Sequence, residues 1–253
     1  MINPVRFVWR TFAKSLVYFL FAAGSLFLIT AVFPLICLLA HPAQRCRKAL
    51  RYSVHITFRV MRQFAWLLGL TKVTISGADR QYLKNLKSTV VVANHPSLLD
   101  ITHLISFLPH ADCIVNARLF EMPIVKHVVR QLFIPNSLDF TQISESCGES
   151  LANGSCVVIF PEGSRTRPGH SHRLRKGSAR IALGTGYPVL PIHIEANEMR
   201  GLLKGDPFYR INEKGRYLFS FLLKPPILPE AYAGLPISIA ARKMTDEISE
   251  RIF

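Results

Sequence analysis

At 253 residues the chain is long enough for one α/β domain plus an accessory segment. A hydrophobic share of 49% and a mean hydropathy of +0.24 argue against a plain soluble enzyme. Thirty-one Lys and Arg against sixteen Asp and Glu give a net charge of +15, which calls for an anionic partner: nucleic acid, lipid headgroups or a phosphorylated substrate.

The N-terminal third narrows that choice. No acidic residue precedes Asp79, whereas ten basic residues lie between Arg6 and Lys72. Within this span residues 15–40 carry no charge at all. As a helix they cover roughly 39 Å, enough to cross a bilayer core of about 30 Å and longer than a signal-peptide core. Basic residues flank the segment on both sides. The heavier C-terminal cluster favours a cytoplasmic face there, while Pro34, Gly24 and Ser25 also permit a kinked, re-entrant helix. Over residues 43–70, Lys48, Arg51, His55, Arg59 and Arg62 recur at steps of three and four beside an apolar stripe. This pattern predicts an interfacial helix with its basic edge at lipid phosphates; the alternative is a core helix with one solvated edge. Nucleic-acid binding would interleave basic and aromatic residues on one exposed face, whereas here the charge clusters around an apolar segment.

From Thr71 onwards short apolar runs alternate with amphipathic stretches. Strands are predicted at residues 71–76, 89–94, 112–116, 132–136, 156–160, 188–195 and 217–223. Helices are predicted at Leu98–Phe107, Leu119–Arg130, Gln142–Ala152, Gly177–Gly184 and Pro236–Ile252. Continuous Val and Ile runs imply a mostly parallel central sheet flanked by helices, an α/β fold. The division expected is a membrane-anchoring helical segment over 1–70 and an α/β domain over 71–253. Five scattered cysteines without a CxxC fit a reducing, cytosol-facing domain. Asn153-Gly154-Ser155 and the GTG at 184–186 read as turns, the second ending a helix. His170, His172 and His193 lack an acid at ligand spacing, so no metal site is expected.

The stretch VVANHPSLLD, residues 91–100, places two ionisable groups among core-like residues. The strand ending at Asn94 delivers His95 to the C-terminal edge of the sheet, where α/β proteins bind ligands. Pro96 suits a helix start, and Asp100 then falls in the first turn. There the carboxylate can hold one imidazole nitrogen and leave the other free to take a proton. A capping Asp beside a backbone-satisfied His is the other reading of the same spelling. Further on, CVVIFPEGSRTRPG (156–169) is a buried strand ending in a proline, an acid, a glycine and arginines. Gly163 permits a tight turn, and Arg165 and Arg167 suit phosphate. PVLPI (188–192) is a strand with two prolines, which points to an edge or ligand-lining position.

NHPSLLD, then FPEGSR, then PVLPI, in that order and spacing, resembles the glycerolipid acyltransferase family of the 1-acylglycerol-3-phosphate acyltransferase type, over about residues 70–225. The resemblance implies an α/β domain at the membrane surface, on the cytoplasmic face, preceded by membrane helices. It implies transfer of an acyl group from a CoA or acyl-carrier-protein thioester to a lysophospholipid hydroxyl, with no cofactor beyond that co-substrate. Carried over by position, His95 is the general base and Asp100 its orienting partner. Glu162 and Gly163 fall in the block that shapes the acceptor site, and Arg165 is the phosphate contact. Arg118, with Pro123, fits the start of a further block, and Lys176 closes the basic stretch that holds acceptor or donor phosphates. The arginine that often closes that further block is absent, Asn136 or its neighbour standing in its place. The family also contains enzymes for other lysolipids and specialised acceptors such as aryl-polyene-type lipids. Because a thioester is already activated, direct attack without an acyl-enzyme is the expected route, and neither Ser97 nor Ser164 sits in a nucleophile-elbow setting. A non-catalytic lipid-binding protein is the remaining alternative.

Overall fold

The computed structural model describes residues 4–115, 117, 121, 133–165, 174–207, 210–212 and 215–253. Among them a seven-stranded sheet runs in the order β1-β7-β6-β2-β5-β3-β4. Its strands are β1 (Thr71–Thr74), β2 (Val90–Ala93), β3 (Ala111–Val115), β4 (Phe133–Pro135), β5 (Cys156–Ile159), β6 (Val189–Asn197) and β7 (Tyr217–Leu223). Every neighbouring pair is parallel except β6 with β7. All seven predicted strands are present and the sheet is mostly parallel, as the continuous Val and Ile runs require.

The helices described are α1 (Pro4–Phe27), α2 (Phe33–Leu39), α3 (Ala43–Leu67), α4 (Gly77–Asn85), α5 (Asp100–Ile105), α6 (Phe140–Ala152), α7 (Gly177–Thr185) and α8 (Ile237–Ile252). The sheet is covered on both faces, because successive residues of a strand point to opposite sides. Val91 and Ala93 of β2 join a core with Leu50 and Val54 of α3, Leu83 of α4 and Leu104 of α5. Val90 and Val92 join the opposite core with Leu151 of α6, Ala182 of α7 and Met244 and Ile248 of α8. Each such buried aliphatic side chain stabilises the fold by about 1.5–3 kcal/mol relative to exposure. Gly186, at φ 73°, ends α7 in the left-handed conformation expected of the GTG turn, and Gly154, at φ 80°, makes the turn before β5.

The N-terminal segment is longer than its uncharged stretch. A helix runs from Pro4 to Leu39, 36 residues with a mean hydropathy of 2.3 in its most apolar window, long and apolar enough to cross a membrane. Between α1 and α2 it widens into one π-helical turn, Leu28–Val32, closed by the Phe33 N–H on the Leu28 carbonyl. That turn lies just before Pro34, which has no N–H to give an α-helical bond and whose ring crowds the preceding turn. The helix therefore carries its irregularity where Gly24, Ser25 and Pro34 cluster.

The basic stripe of α3 does not lie where the sequence suggests. Arg51 is buried, pairing with Asp112 of β3 at 2.6 Å and donating to Ser155 at 2.7 Å and Ser150 at 3.3 Å. His55 is buried with its Nδ1 against the Ile105 carbonyl, and the Arg62 guanidinium lies 4.3 Å from the centre of the Phe107 ring. Arg51 and His55 thus turn inward to dock α3, Lys48 and Arg62 are half-buried and Arg59 stays exposed, while Tyr52, Ile56, Val60, Trp66 and Leu67 are exposed as well. A stripe of charge at helical spacing identifies one face but not its partner; here Asp112, Ser150 and Ser155 supply acceptors from far along the chain. Burial pushes the Asp112 carboxyl up, and Arg51 opposes that shift.

The second correction concerns β6, which lies between β7 and β2 and is not an edge strand. Pro191 is tolerated because its side of the strand faces β7 beyond the end of the antiparallel ladder, which starts at Ile192–Leu223. The Pro191 carbonyl accepts from Lys224, and past Pro225 the chain returns to β6 at Ile227, which exchanges backbone hydrogen bonds with Val189. The predicted helix Leu119–Arg130 and the candidate Arg118 lie outside the described residues, as do His170 and His172. Two short elements escaped the periodicity: α4, and a single 3₁₀ turn at Pro229–Tyr232.

Candidate active site

Strands β2 and β5 are parallel neighbours in the register Val90–Val157, Val91–Val158 and Val92–Ile159. Their following loops therefore leave the same edge of the sheet side by side, which brings His95 beside the Phe160–Arg165 block. This is the physical reason that two sequence blocks so far apart form one site.

Asn94 fixes the point of departure. Its side-chain amide donates to the Ile194 carbonyl at 2.9 Å, and its carbonyl oxygen accepts the Ile194 N–H at 2.6 Å. It thereby bridges β2 to β6 where the backbone of β2 turns away. His95 then meets Asp100: Nδ1 stands 2.8 Å from Oδ2. The same oxygen accepts the Ser97 N–H at 2.6 Å, and Oδ1 accepts the Ser97 hydroxyl at 2.6 Å. The carboxylate is fully buried while the imidazole keeps 18% of its surface exposed. With Nδ1–H donated to the carboxylate, Nε2 is left with its lone pair available to a substrate. The Asp100 carboxylate thus holds the imidazole as well as Ser97, and the two sequence-predicted residues are brought together at the sheet edge.

Two further contacts orient the imidazole. The main-chain N–H of His95 donates to Glu162 Oε1 at 2.7 Å. The ring stacks on Phe160, centroids 4.2 Å apart and planes 22° from parallel. Glu162 therefore belongs to the machinery that places His95, a role its position in the FPEG block did not disclose. Gly163 sits at φ 68° and its N–H closes a turn on the Phe160 carbonyl. A Cβ there would fall 2.8 Å from Arg175 Nε, so the glycine also admits the arginine that covers the turn.

Arg165 uses one guanidinium nitrogen on the Leu202 and Leu203 carbonyls, at 3.3 and 3.5 Å. The same Leu202 carbonyl accepts the Leu98 N–H, so the turn at residues 199–206 fastens onto both motif loops. Lys176 is exposed at the N-terminal end of α7, one residue beyond Arg175. Ser97 is fully buried with its hydroxyl committed to Asp100, a poor disposition for a nucleophile, and Ser164 is exposed with its hydroxyl towards the Arg165 carbonyl at 3.5 Å. The residues missed in the sequence are Phe160, Ser97 as a brace for Asp100, and Leu202. Only Ser97 left a local signal, a small hydroxyl three residues before an acid.

Beside the His95–Asp100 segment lies a cavity of about 350 Å³, bounded by α1, α3, β1 and the start of α5. Val17, Phe21, Phe58, Met61, Leu98 and Ile101 give it an apolar lining. Its size falls within the range of about 300–1,000 Å³ usual for ligand pockets. Lys14 of α1 reaches past it to the Gly201 and Arg210 carbonyls at 3.0 and 2.6 Å, which ties the N-terminal helix to the 199–206 turn.

Comparison with known proteins agrees with this geometry. Residues 72–195 match the family model described as Acyltransferase. The chain is 33% identical over 125 residues to a chloroplastic 1-acyl-sn-glycerol-3-phosphate acyltransferase of Brassica napus, covering 45% of this chain and 36% of that protein. It is 28% identical over 193 residues to the 1-acyl-sn-glycerol-3-phosphate acyltransferase of Cocos nucifera, covering 73% of this chain and 60% of that one. The chain thus spans less than two thirds of the length of these relatives. Its fold matches the crystal structure of the 1-acyl-sn-glycerophosphate acyltransferase PlsC from Thermotoga maritima, with a TM-score of 0.67 over 96% of both chains at 20% identity. The stretch that matches the Acyltransferase family model is thus the one that holds the joined His95–Asp100 pair and the FPEG turn beside it.

Proposed function

We propose that this protein is a membrane-bound O-acyltransferase. In this reading it moves an acyl group from an acyl-CoA or acyl-carrier-protein thioester to the free hydroxyl of a lysophospholipid. The acceptor proposed first is 1-acylglycerol-3-phosphate, giving phosphatidic acid. The observation that carries the reading is the His95–Asp100 contact at 2.8 Å, made through Nδ1 by an imidazole that keeps 18% of its surface exposed. Nε2 takes the acceptor hydroxyl proton as the oxygen adds to the thioester carbonyl. The tetrahedral adduct collapses, expelling the thiolate, and the imidazolium returns the proton to sulfur. Asp100 stabilises the imidazolium that exists between those steps. The apolar cavity beside α5 suits the acyl chain, and the exposed apolar surface of α1 and α2 suits a membrane in which both lipids reside. Arg165, Arg118 and Lys176 are the proposed phosphate contacts, Arg165 through the guanidinium nitrogens not bound to Leu202 and Leu203.

Membranes carrying the protein, supplied with radiolabelled acyl-CoA or acyl-carrier-protein and a panel of lysolipids, test the reading. Labelled phosphatidic acid from lysophosphatidic acid is the expected product, and His95→Ala should abolish it at equal protein level. Wild-type rates in a folded His95→Ala protein would defeat the mechanism. Arg165→Ala should raise the acceptor KM, and an unchanged KM removes it from the phosphate site. One observation favours a second acceptor class. Asn136, standing where the family often has an arginine, has its Oδ1 engaged by the Ala117 N–H at 3.0 Å. Label appearing in a different lipid would assign the protein to a specialised lysolipid instead.

A further inference from the structure

Two thiols face each other where the N-terminal helix turns back into the domain. Cys37, in the last turn of α2, and Cys46, at the start of α3, bring their sulfurs to 2.8 Å. A disulfide bond is about 2.05 Å long, so the pair stands less than about 1 Å short of one. Cys37 is half-buried and Cys46 buried, which leaves one sulfur open to an oxidant with the other directly behind it. Burial and the neighbouring Cys37 sulfur push the Cys46 thiol up to about 11. Cys37 is therefore the sulfur that reacts first, and Cys46 the one that resolves. Cys113, Cys147 and Cys156 are sealed inside the two cores of the sheet, each with 1% or less of its surface exposed.

The place of the pair gives it a consequence. The helix running through α1 and α2 doubles back along α3. Trp9 Nε1 donates to the Leu68 carbonyl at 3.3 Å, and Phe21 stacks on Phe58 with ring centroids 6.1 Å apart. These helices form facing walls of the apolar cavity, Val17 and Phe21 opposite Phe58 and Met61. The seam between them is fastened unevenly. Near the start of α1, Trp9, Arg10 and Lys14 are all bound to backbone carbonyls. Among the described residues the far end is held by apolar packing of Val32, Phe33 and Ile36 and by the two sulfurs. An open apolar groove of about 350 Å³, lined by Phe27, Ala31, Leu35 and Ala49, lies along that loosely held end. The π-helical turn Leu28–Val32 stands between the two ends and supplies a joint.

We propose that Cys37 and Cys46 form a thiol–disulfide latch that clamps α2 onto α3 and closes the loose end of the seam through which an acyl chain enters the cavity. Its effect on rate rests on the acyltransferase reading above, to which it adds a control. The oxidant is a low-molecular-weight disulfide. Cys37 sulfur attacks one sulfur of that disulfide, and its thiol proton leaves with the first thiol released. Cys46 sulfur then attacks Cys37 Sγ in the mixed disulfide, and its proton leaves with the second. One S–S bond breaks and one forms, and two electrons pass to the oxidant. A dithiol reductant reverses both steps.

The test treats the full-length protein in membranes with glutathione disulfide and returns half of the sample to dithiothreitol. Both halves are assayed for acyl transfer to one fixed lysolipid and mapped by peptide mass spectrometry. The expected result is a Cys37–Cys46 bridge and a rate lower by about tenfold, both reversed by dithiothreitol. Cys37→Ser and Cys46→Ala should each keep the rate of the reduced wild type and lose the response. Cys37→Ser, at the half-exposed position, keeps the test open should Cys46→Ala fold poorly. Peptides showing no Cys37–Cys46 bridge overturn the inference whatever the rates, because the mapping does not depend on activity. A bridge that leaves the rate unchanged overturns it as well, and so does an equal loss of rate on oxidation in both variants. A bridge in a protein that transfers no acyl group in either state overturns the acyltransferase reading, and the control of rate with it.

Discussion

Replacing Asp100 by Asn changes one heavy atom and should nearly silence the site. Asp100 accepts three hydrogen bonds, from His95 Nδ1–H, Ser97 N–H and the Ser97 hydroxyl, and donates none. An amide in its place has one acceptor oxygen and an NH₂ group that must face at least one of those donors. If the oxygen takes the place of Oδ1 against the Ser97 hydroxyl, the NH₂ takes that of Oδ2, faces both Nδ1 and the Ser97 N–H, and favours the other tautomer. Nε2 then carries the proton and cannot accept one from the substrate. General-base catalysis is typically worth about 10²–10⁴-fold, or about 2.7–5.5 kcal/mol of barrier. The expected kcat of Asp100→Asn is therefore lower by about 10²–10⁴, with the acceptor KM little changed because no group that holds the lysolipid has moved. A cost of about 1–3 kcal/mol in stability should accompany it, from the donor left facing a donor in a fully buried position.

Membranes with equal amounts of wild type, Asp100→Asn, His95→Ala and the double variant give the answer by initial rates of acyl transfer. Because the two residues act as one unit, the double variant should be no slower than His95→Ala alone. Two results would sink this account. One is an Asp100→Asn protein retaining more than about a tenth of wild-type kcat. The other is a double variant slower than His95→Ala by the full Asp100→Asn factor, since Asp100 would then act without His95.

The surrounding contacts make further predictions. Glu162→Ala removes the acceptor of the His95 N–H and should lower kcat by about 10–100-fold, whereas Glu162→Gln, which keeps an acceptor oxygen, should stay within a few-fold of wild type; initial rates separate them. Arg51→Ala strands Asp112 and should cost about 3–5 kcal/mol, read as a fall of roughly 10 °C or more in Tm in detergent, with part recovered when Asp112 is also replaced by Ala. His103 sets a pH dependence. Its folded pKa of about 3 lies below the unfolded value of 6.5, so below pH 6.5 the unfolded chain binds a proton that the folded one refuses. Stability is then complete above pH 6.5 and falls as pH drops towards 3, by about 2 kcal/mol between pH 7 and 5 from this group. The Tm difference between pH 7 and 5 should shrink by roughly 4–8 °C in His103→Leu, and an unchanged difference would contradict the assignment.

How much of this was legible in the sequence depended on the range of the interaction. The seven strands could be read because buried parallel strands are continuous apolar runs, and that signal is local. So was the His95–Asp100 pair, since five residues of a strand-to-helix turn place the two side chains together. Helix α4 was not, because GADRQYLKN buries only Leu83 and leaves no apolar stripe; its one signal is Ser76, whose hydroxyl caps the Asp79 N–H. The inward turn of Arg51 was hidden because its acceptors lie 61 to 104 residues away. Glu162 likewise meets His95 through the register of two parallel strands, which no local spelling encodes. His103 was passed over for the opposite reason. Nothing near it in sequence distinguishes a buried histidine with partners from one without.

The N-terminal helix is tied to the His95–Asp100 segment through a chain of polar contacts. Arg10 donates to the Asn212 and Gly215 carbonyls at 2.7 and 2.6 Å, and Lys14 to those of Gly201 and Arg210. Those carbonyls flank the turn whose Leu202 oxygen holds both Leu98 and Arg165. Gly201 makes that turn possible: it sits at φ 94°, and a Cβ would fall 2.2 Å from the Arg210 carbonyl oxygen that Lys14 shares. Two basic side chains near the start of α1 thus grip the segment that braces the loop between His95 and Asp100. The same helix forms one wall of the cavity beside that loop. A cation on an apolar helix can satisfy itself at a phosphate; here both are spent on backbone oxygens of the α/β domain. Positioning the helix and positioning the loop that carries His95 are consequently one packing problem, and the charge of the first 78 residues is partly the solution to it.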